Sequence, residues 1–283
     1  MHEKVIFDGE LLFAQEAKIP ALSSAVLYGQ SVFTTLAIYN RRPFMWNEHW
    51  ARLKTHAERV GIKHIDTMES LIINSLNRLI ETNFIGNGKA RITLFANNNP
   101  GAWQLSYNEL PRISFLITTG NASDILNDKT VITISSKIIN TRLPLTGIKS
   151  SNYLENILAL EEAHKEEFQE AVRINEKGEV VSACMANIFW VKDGELFTPD
   201  LATGALKGTT RDFVVKLAEE FSIRLHFVQN EISAVANADE IFLTSSGIGV
   251  CIVRRIDSRF IIYKPKSLAI HLREAFRKVT MKN

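Results

Sequence analysis

Short blocks of alternating apolar and polar residues run along most of this 283-residue chain. Between them lie longer blocks with a three-to-four-residue apolar repeat. Val5 to Phe13 reads as a hairpin, because Asp8-Gly9 is a two-residue turn signal between short apolar strands. Val32 to Tyr39 is β-branched and aromatic and predicts a strand. Asn47 opens a helix that runs to about Val60 and stops at Gly61. A second amphipathic helix is predicted from about Met68 to Asn83, with Leu71, Ile72, Leu76, Leu79 and Ile80 on its buried stripe. Lys89 to Ala96 predicts a strand entering a loop over Asn97-Asn98-Asn99-Pro100-Gly101, and Arg112 to Thr119 another strand. Gly120 to Asp128 is polar and turn-rich, so a domain boundary is placed there.

The second half starts with a helix over Leu154, Ile157, Leu158 and Glu161 to Ala163. Ala171 to Asn175 and Val180-Val181 flank Lys177-Gly178; Asn187 to Val191 and Leu196 to Thr198 flank Asp193-Gly194. Hairpins at such short intervals suggest a curled or barrel-like sheet. Leu206-Lys207-Gly208-Thr209-Thr210-Arg211-Asp212 begins a helix to about Phe221. Glu240 to Leu243 reads as a buried strand with the polar exit Thr244-Ser245-Ser246-Gly247.

Composition narrows the class. Apolar residues are 46% and charged residues 23%, an ordinary soluble composition on a chain long enough for two domains. The net charge of +2 shows no basic block, so no nucleic-acid partner is expected. Cys184 and Cys251 lack metal-ligand spacing and read as small buried hydrophobes. With no leader and no membrane-length apolar run, a cytoplasmic protein without a membrane partner is expected.

The chemistry centres on Gly147-Ile148-Lys149-Ser150-Ser151-Asn152-Tyr153-Leu154-Glu155. Ser151 or Asn152 can cap the following helix, and Asn152 with Glu155 has capping-box spacing. Lys149 then stands just before a helix N-terminus, whose positive end lowers an amine's pKa. A neutral lysine there is a nucleophile able to form a Schiff base. A solvated loop lysine is the other reading of these residues alone.

The wording Gly-Ile-Lys-x-x-Asn-x-Leu-Glu-x-x-Leu resembles the lysine segment of the class IV pyridoxal 5'-phosphate (PLP) aminotransferases. That family includes branched-chain and D-amino-acid aminotransferases and 4-amino-4-deoxychorismate lyase. Further landmarks follow in order: Tyr28-Gly29 through Phe33-Thr34-Thr35, which is closest to the lyase branch; His49-x-x-Arg52-Leu53; Leu206-x-Gly208-Thr209-Thr210-Arg211; and Thr244 to Gly247. The resemblance implies the two-domain α+β fold of fold-type-IV PLP enzymes. A small α+β domain would span 1–120, and 125–283 would form a barrel-like sheet domain with helices, carrying the PLP lysine. It implies Lys149 as the catalytic, cofactor-carrying lysine, Arg52 on the phosphate, and Tyr153 beside the cofactor. Thr209, Thr210, Ser245 and Ser246 become phosphate donors, and Leu206 packs on the pyridine ring. It also implies a homodimer and a small amine or amino-acid substrate. His49 reads as a structural partner of this helix.

Gln30-Ser31 stand where the family usually has Asp-Gly, and two site positions also depart from the family wording. Five residues before Asn187 the family has a glutamate that keeps the pyridine nitrogen protonated; here it is Ser182. Glu179 is three residues off, on the opposite face of a regular strand. Near the end of the strand over 89–96, amino-acid-directed members have an arginine for the substrate carboxylate; the count falls on Phe95, with Arg91 nearby. A weaker electron sink should hurt transamination more than elimination. The expected activity is therefore a lyase resembling 4-amino-4-deoxychorismate lyase, which releases pyruvate to give 4-aminobenzoate. A branched-chain or D-amino-acid aminotransferase, or a PLP-binding homologue with weakened catalysis, are the alternatives.

Overall fold

A computed structural model describes residues 1–98, 112–122 and 130–282. The loop read over Asn99-Pro100-Gly101 and the turn-rich stretch at 123–128 lie outside the described residues. The chain divides into two compact units. Met1–Ala122 with Ile148–Asn152 forms the first, and Ser123–Gly147 with Tyr153–Lys282 the second.

The first unit opens on the strands β1 (Lys4–Phe7) and β2 (Glu10–Phe13), paired Val5 to Leu12. Asp8 and Gly9 both take positive φ, as a two-residue hairpin turn with a right-handed twist requires. A short helix, α1 (Ser24–Tyr28), precedes β3 (Ser31–Tyr39) and β4 (Arg42–Pro43). Helices α2 (Trp46–Arg59) and α3 (Glu69–Thr82) follow, then β5 (Gly88–Ala96) and β6 (Ile113–Asn121). The six strands form one antiparallel sheet in the order β2-β1-β6-β5-β3-β4. Val32, Leu36 and Ile38 of β3 join Trp50, Leu53 and Ala57 of α2 and Ile72, Leu76, Leu79 and Ile80 of α3 in one core. Leu71, expected on that stripe, is 48% exposed. The buried arc of α3 is centred on Ile72, Leu76 and Leu79, and Leu71 falls outside it.

The segment Ile148–Asn152, expected in the larger domain, packs with the first unit instead. Its cause is a short antiparallel ladder: Val32 bridges Ser150, Phe33 N–H donates to Lys149 O at 2.9 Å, and Ser151 N–H donates to Ser31 O at 3.0 Å. Ile148 packs against the apolar core.

Among the described residues the second unit holds nine strands: β7 (Thr130–Ile134), β8 (Glu170–Ile174), β9 (Val180–Ala183), β10 (Asn187–Lys192), β11 (Glu195–Pro199), β12 (Leu225–Val228), β13 (Glu240–Ser245), β14 (Gly249–Ile256) and β15 (Arg259–Phe260). The ladder runs β12-β11-β10-β13-β14-β7-β8-β9, with β15 on β14. The pairs β11/β12, β14/β7 and β7/β8 are parallel, and the others antiparallel. Strand β9, at one end of the ladder, comes back beside β10 and β11, so the sheet curls as expected of a barrel-like domain. Its helices are α4 (Leu154–Lys165), α5 (Thr209–Glu220), α6 (Ile232–Ala236) and α7 (Leu268–Lys282). Strands β7, β12 and β14 and helix α7 carry weaker patterns and are additions to the sequence reading.

Helix α4 differs from expectation at its start. Its N-cap is Tyr153, with no side-chain cap. Asn152, read as a capping residue, donates instead to Gly29 O at 2.9 Å, within the first unit. Gly29 sits at φ +64, and a Cβ there would come 2.2 Å from Asn152 Oδ1, so that turn needs glycine.

Candidate active site

In the first unit, β3 presents alternate residues to two faces of the sheet. Thr34 points to the α2 side. Its hydroxyl accepts from Arg52 Nη2 at 2.9 Å and lies 2.7 Å from His49 Nδ1. A neutral His49 can make this contact in either tautomer, because the Thr34 hydroxyl can donate to Nδ1 or accept from it. That agrees with an imidazole held well below its ordinary range by burial, then by Arg52 and Lys149. His56, one turn beyond Arg52, accepts the Lys149 backbone N–H at its Nδ1, at 3.0 Å. Burial, with Arg52, Lys149 and Arg59, lowers the His56 pKa to about 4, so this ring is neutral too. The sequence reading missed His56, although His49, Arg52 and His56 fall at i, i+3 and i+7, one stripe of α2.

The other face carries Phe33, directly opposite Lys149 in the short ladder. Lys149 Nζ lies 4.4 Å from the Phe33 ring centroid, and the Arg91 guanidinium carbon 3.6 Å from it. Arg91 reaches there from β5, where it pairs with Thr35 and its Nε donates to Thr93. Aromatic faces tolerate cations, so one ring gathers two of them. The Lys149 amine is pushed down to about 7, by burial first, then by Arg52 and Arg91. The expected cause, a helix N-terminus, is replaced by desolvation and like charge. Phe95 is buried against Phe7, ring centroids 6.0 Å apart, as a core residue. The guanidinium on that face of β5 is Arg91, four residues back.

In the second unit, Thr209 and Thr210 open α5, whose N-cap Gly208 has no side-chain cap. Both threonines are buried, and their hydroxyls lie 3.3 and 3.5 Å from Ser246 Oγ. The turn is held by Asn187, whose Nδ2 donates to Leu206 O at 2.8 Å. Asn187 Oδ1 lies 2.0 Å from where a Gly208 Cβ would stand, so the close approach excludes any side chain. A helix start and three clustered hydroxyls make a donor set that fits a phosphate dianion. Ser245 ends β13 beside this cluster in sequence, and Tyr153 and Leu206 are partly buried. Ser182 lies on β9, partly buried, directly opposite Arg173 of β8. Among the described residues no group of His, Cys, Asp and Glu could hold a metal ion.

The sequence profile described as amino-transferase class IV matches residues 31–256. The chain is 29% identical over 283 residues to a Methanocaldococcus jannaschii protein assigned provisionally as a branched-chain-amino-acid aminotransferase, covering 99% of this chain and 97% of that one. It is 25% identical over 255 residues to the aminodeoxychorismate lyase of Bacillus subtilis, covering 89% and 86%. The solved branched-chain aminotransferase of Thermoproteus uzoniensis superposes with a TM-score of 0.88 at 24% identity, covering 99% of this chain and 95% of that one. The chain belongs to the class IV aminotransferases, PLP-dependent enzymes, and has their fold.

Proposed function

We propose, from that membership, that the protein handles the primary amine of a small carboxylate-bearing substrate at Lys149, and that its reaction is a pyruvate-releasing elimination of the aminodeoxychorismate lyase kind. The observation that carries the reading is an amine of pKa about 7 beside Arg52 and Arg91. When bound, PLP supplies an aldehyde that captures amines and a ring that withdraws electrons. Lys149, its pKa lowered to about 7, would be the amine that holds the cofactor. The same amine would serve as the base for a proton on the substrate's alpha carbon and, once protonated, as the acid toward the departing three-carbon fragment. Arg52 is the guanidinium for the phosphate; Thr209, Thr210, Ser245 and Ser246 supply hydroxyls and Leu206 a packing surface. Arg91 offers a guanidinium to a substrate carboxylate. Tyr153 lines the cofactor, and Ser182, in place of a carboxylate, leaves the ring a weaker electron sink. That weakness favours the short elimination.

The second reading is amine transfer with a branched-chain or D-amino acid. The Methanocaldococcus relative and the D-alanine aminotransferase of Staphylococcus aureus, 26% identical over 263 residues, favour it. Incubation with 4-amino-4-deoxychorismate should release pyruvate and 4-aminobenzoate faster than any amino-acid and 2-oxo-acid pair exchanges its amine. Faster exchange would move the assignment to the second reading; neither reaction from a PLP-loaded protein would leave a weakened homologue. The proposal includes a homodimer. In its support, α4 exposes Leu154, Ile157 and Leu158, an apolar face wide for a monomer. It also includes a cytoplasmic location, in keeping with two buried free cysteines. Among the described residues no helix is long and apolar enough to cross a membrane.

A further inference from the structure

Strand β8 places a buried arginine opposite Ser182 in the ladder. Arg173 and Ser182 are direct partners across the antiparallel β8/β9 ladder, so their side chains leave the same face of the sheet. Arg173 is 1% exposed. Its Nε donates to Lys137 O at 3.2 Å, Nη2 to Ile138 O at 3.2 Å, and Nη1 to Asn156 Oδ1 at 2.9 Å. These are neutral acceptors. Among the described residues its carboxylate contact is Glu155 at 3.9 Å, whose side chain is 67% exposed. An exposed partner at that distance is largely screened by water.

The other nearby carboxylates are spent elsewhere. Glu170, on β8, accepts the N–H groups of Ala171, Cys184 and Met185 at 3.0, 2.9 and 2.8 Å. Glu179 accepts from Asn175 Nδ2 at 2.7 Å in the hairpin turn. A register shift at Val181 breaks the simple alternation between Glu179 and Ser182, so that bond, rather than strand parity, keeps Glu179 from serving. Position 182 therefore combines a small hydroxyl with a buried guanidinium on the same face and a shortage of negative charge.

We propose that Arg173 is a positioning residue that works with Ser182 to keep the bound cofactor's ring nitrogen unprotonated. The inference rests on the proposed function, which sets that nitrogen at residue 182. A nearby cation disfavours protonation, and a hydroxyl can donate to the lone pair of an unprotonated nitrogen. It follows that Ser182→Glu by itself does not undo the arrangement. Directly opposed side chains approach within about 5.5 Å at Cβ, so Arg173 captures the new carboxylate as an ion pair. The two positions work as a matched set.

The test uses ring-15N-labelled PLP bound to the full-length protein, whose nitrogen resonance separates the protonated from the unprotonated state. The wild type and Ser182→Glu should both show an unprotonated nitrogen, and the double variant Arg173→Met/Ser182→Glu a protonated one. A protonated nitrogen in the wild type, or in Ser182→Glu with Arg173 intact, would overturn the proposal. Should Arg173→Met fail to fold, Ser182→Glu against its neutral analogue Ser182→Gln decides alone: identical, unprotonated resonances are expected. A purely structural Arg173, tying residues 137–138 to β8, would leave Ser182→Glu free to protonate the ring. Borohydride trapping on the same samples separates the two levels. Label missing from Lys149 would sink the proposed function and this inference together, whereas label on Lys149 with the wrong resonance would sink only the inference.

Discussion

The Lys149 face of the first unit and the Arg173–Ser182 pair of the second both concentrate positive charge, with opposite consequences. Around Lys149 the cations act on an amine that can lose its proton, and burial with Arg52 and Arg91 brings its pKa to about 7. At Ser182 the cation is an arginine, which keeps its charge, and three neutral acceptors hold it in place. The first arrangement makes a nucleophile. The second makes a standing positive setting, because an arginine does not titrate near neutral pH. On the proposed reading, the covalent half of PLP chemistry and the electron-withdrawing half rest on different residues, Lys149 for the first and Ser182 with Arg173 for the second.

Breaking the first region should have the largest effect. Lys149→Ala should abolish the visible absorbance of lysine-bound PLP and all turnover, while circular dichroism stays unchanged. Reduction with borohydride and peptide mapping should place the pyridoxyl group on Lys149. Finding it on Lys137 or Lys207 would reassign the site. Next in size is Arg52→Ala. It should weaken PLP binding by about 1.5–3 kcal/mol, the scale of a hydrogen bond to a charged group. Unchanged affinity in a fluorescence titration would reduce Arg52 to a partner of Thr34. Thr34→Val removes the hydroxyl between Arg52 and His49 without changing the shape of the side chain. About 0.5–1.5 kcal/mol of PLP affinity should go with it, as for one neutral hydrogen bond. Full affinity in the same titration would mean that Arg52 is aimed by other contacts.

Much of this was legible in the chain itself. The hairpin turns at Asp8-Gly9 and Asp193-Gly194 were readable because both residues of each must accept positive φ, which few residue types do. The stripe of α2 was readable in its spacing, though His56 waited for the Lys149 N–H to show its use. Lys149 was found for a reason that does not hold in the structure. Local spacing suggested a capped helix start, but Asn152 is taken by Gly29, a partner 123 residues away in sequence. Arg91 was passed over because counting along β5 pointed to Phe95, and counting cannot tell which side chain of a face is covered by Phe7. Arg173 drew no attention at all. Its meaning lies in a cross-strand register and a bulge at Val181, and neither is written in a local pattern.

Arg91→Leu should give the smallest effect, and the one most specific to the electrostatic account. Arg91 is the last of the three causes that lower the Lys149 pKa, after burial and Arg52. Removing it should raise that pKa from about 7, though burial and Arg52 still hold it below the ordinary 10.5. The neutral amine is the form that captures the aldehyde. The rate of PLP uptake by the cofactor-free protein should therefore rise through a midpoint near 7 in the wild type and through a higher one in Arg91→Leu. The two rates should differ below the wild-type midpoint and merge at alkaline pH. Stability carries the same sign. Between the folded pKa and 10.5 an unfolded Lys149 binds more protons than a folded one, so this lysine makes unfolding harder as pH rises through that window. The window should be narrower in the variant, by urea titration at several pH values. If the midpoint stays put, Arg91 is too well screened by water to act on Lys149, and burial with Arg52 accounts for the whole shift. A parallel loss of apparent substrate affinity at alkaline pH, with uptake unchanged there, would assign Arg91 to the substrate carboxylate as well.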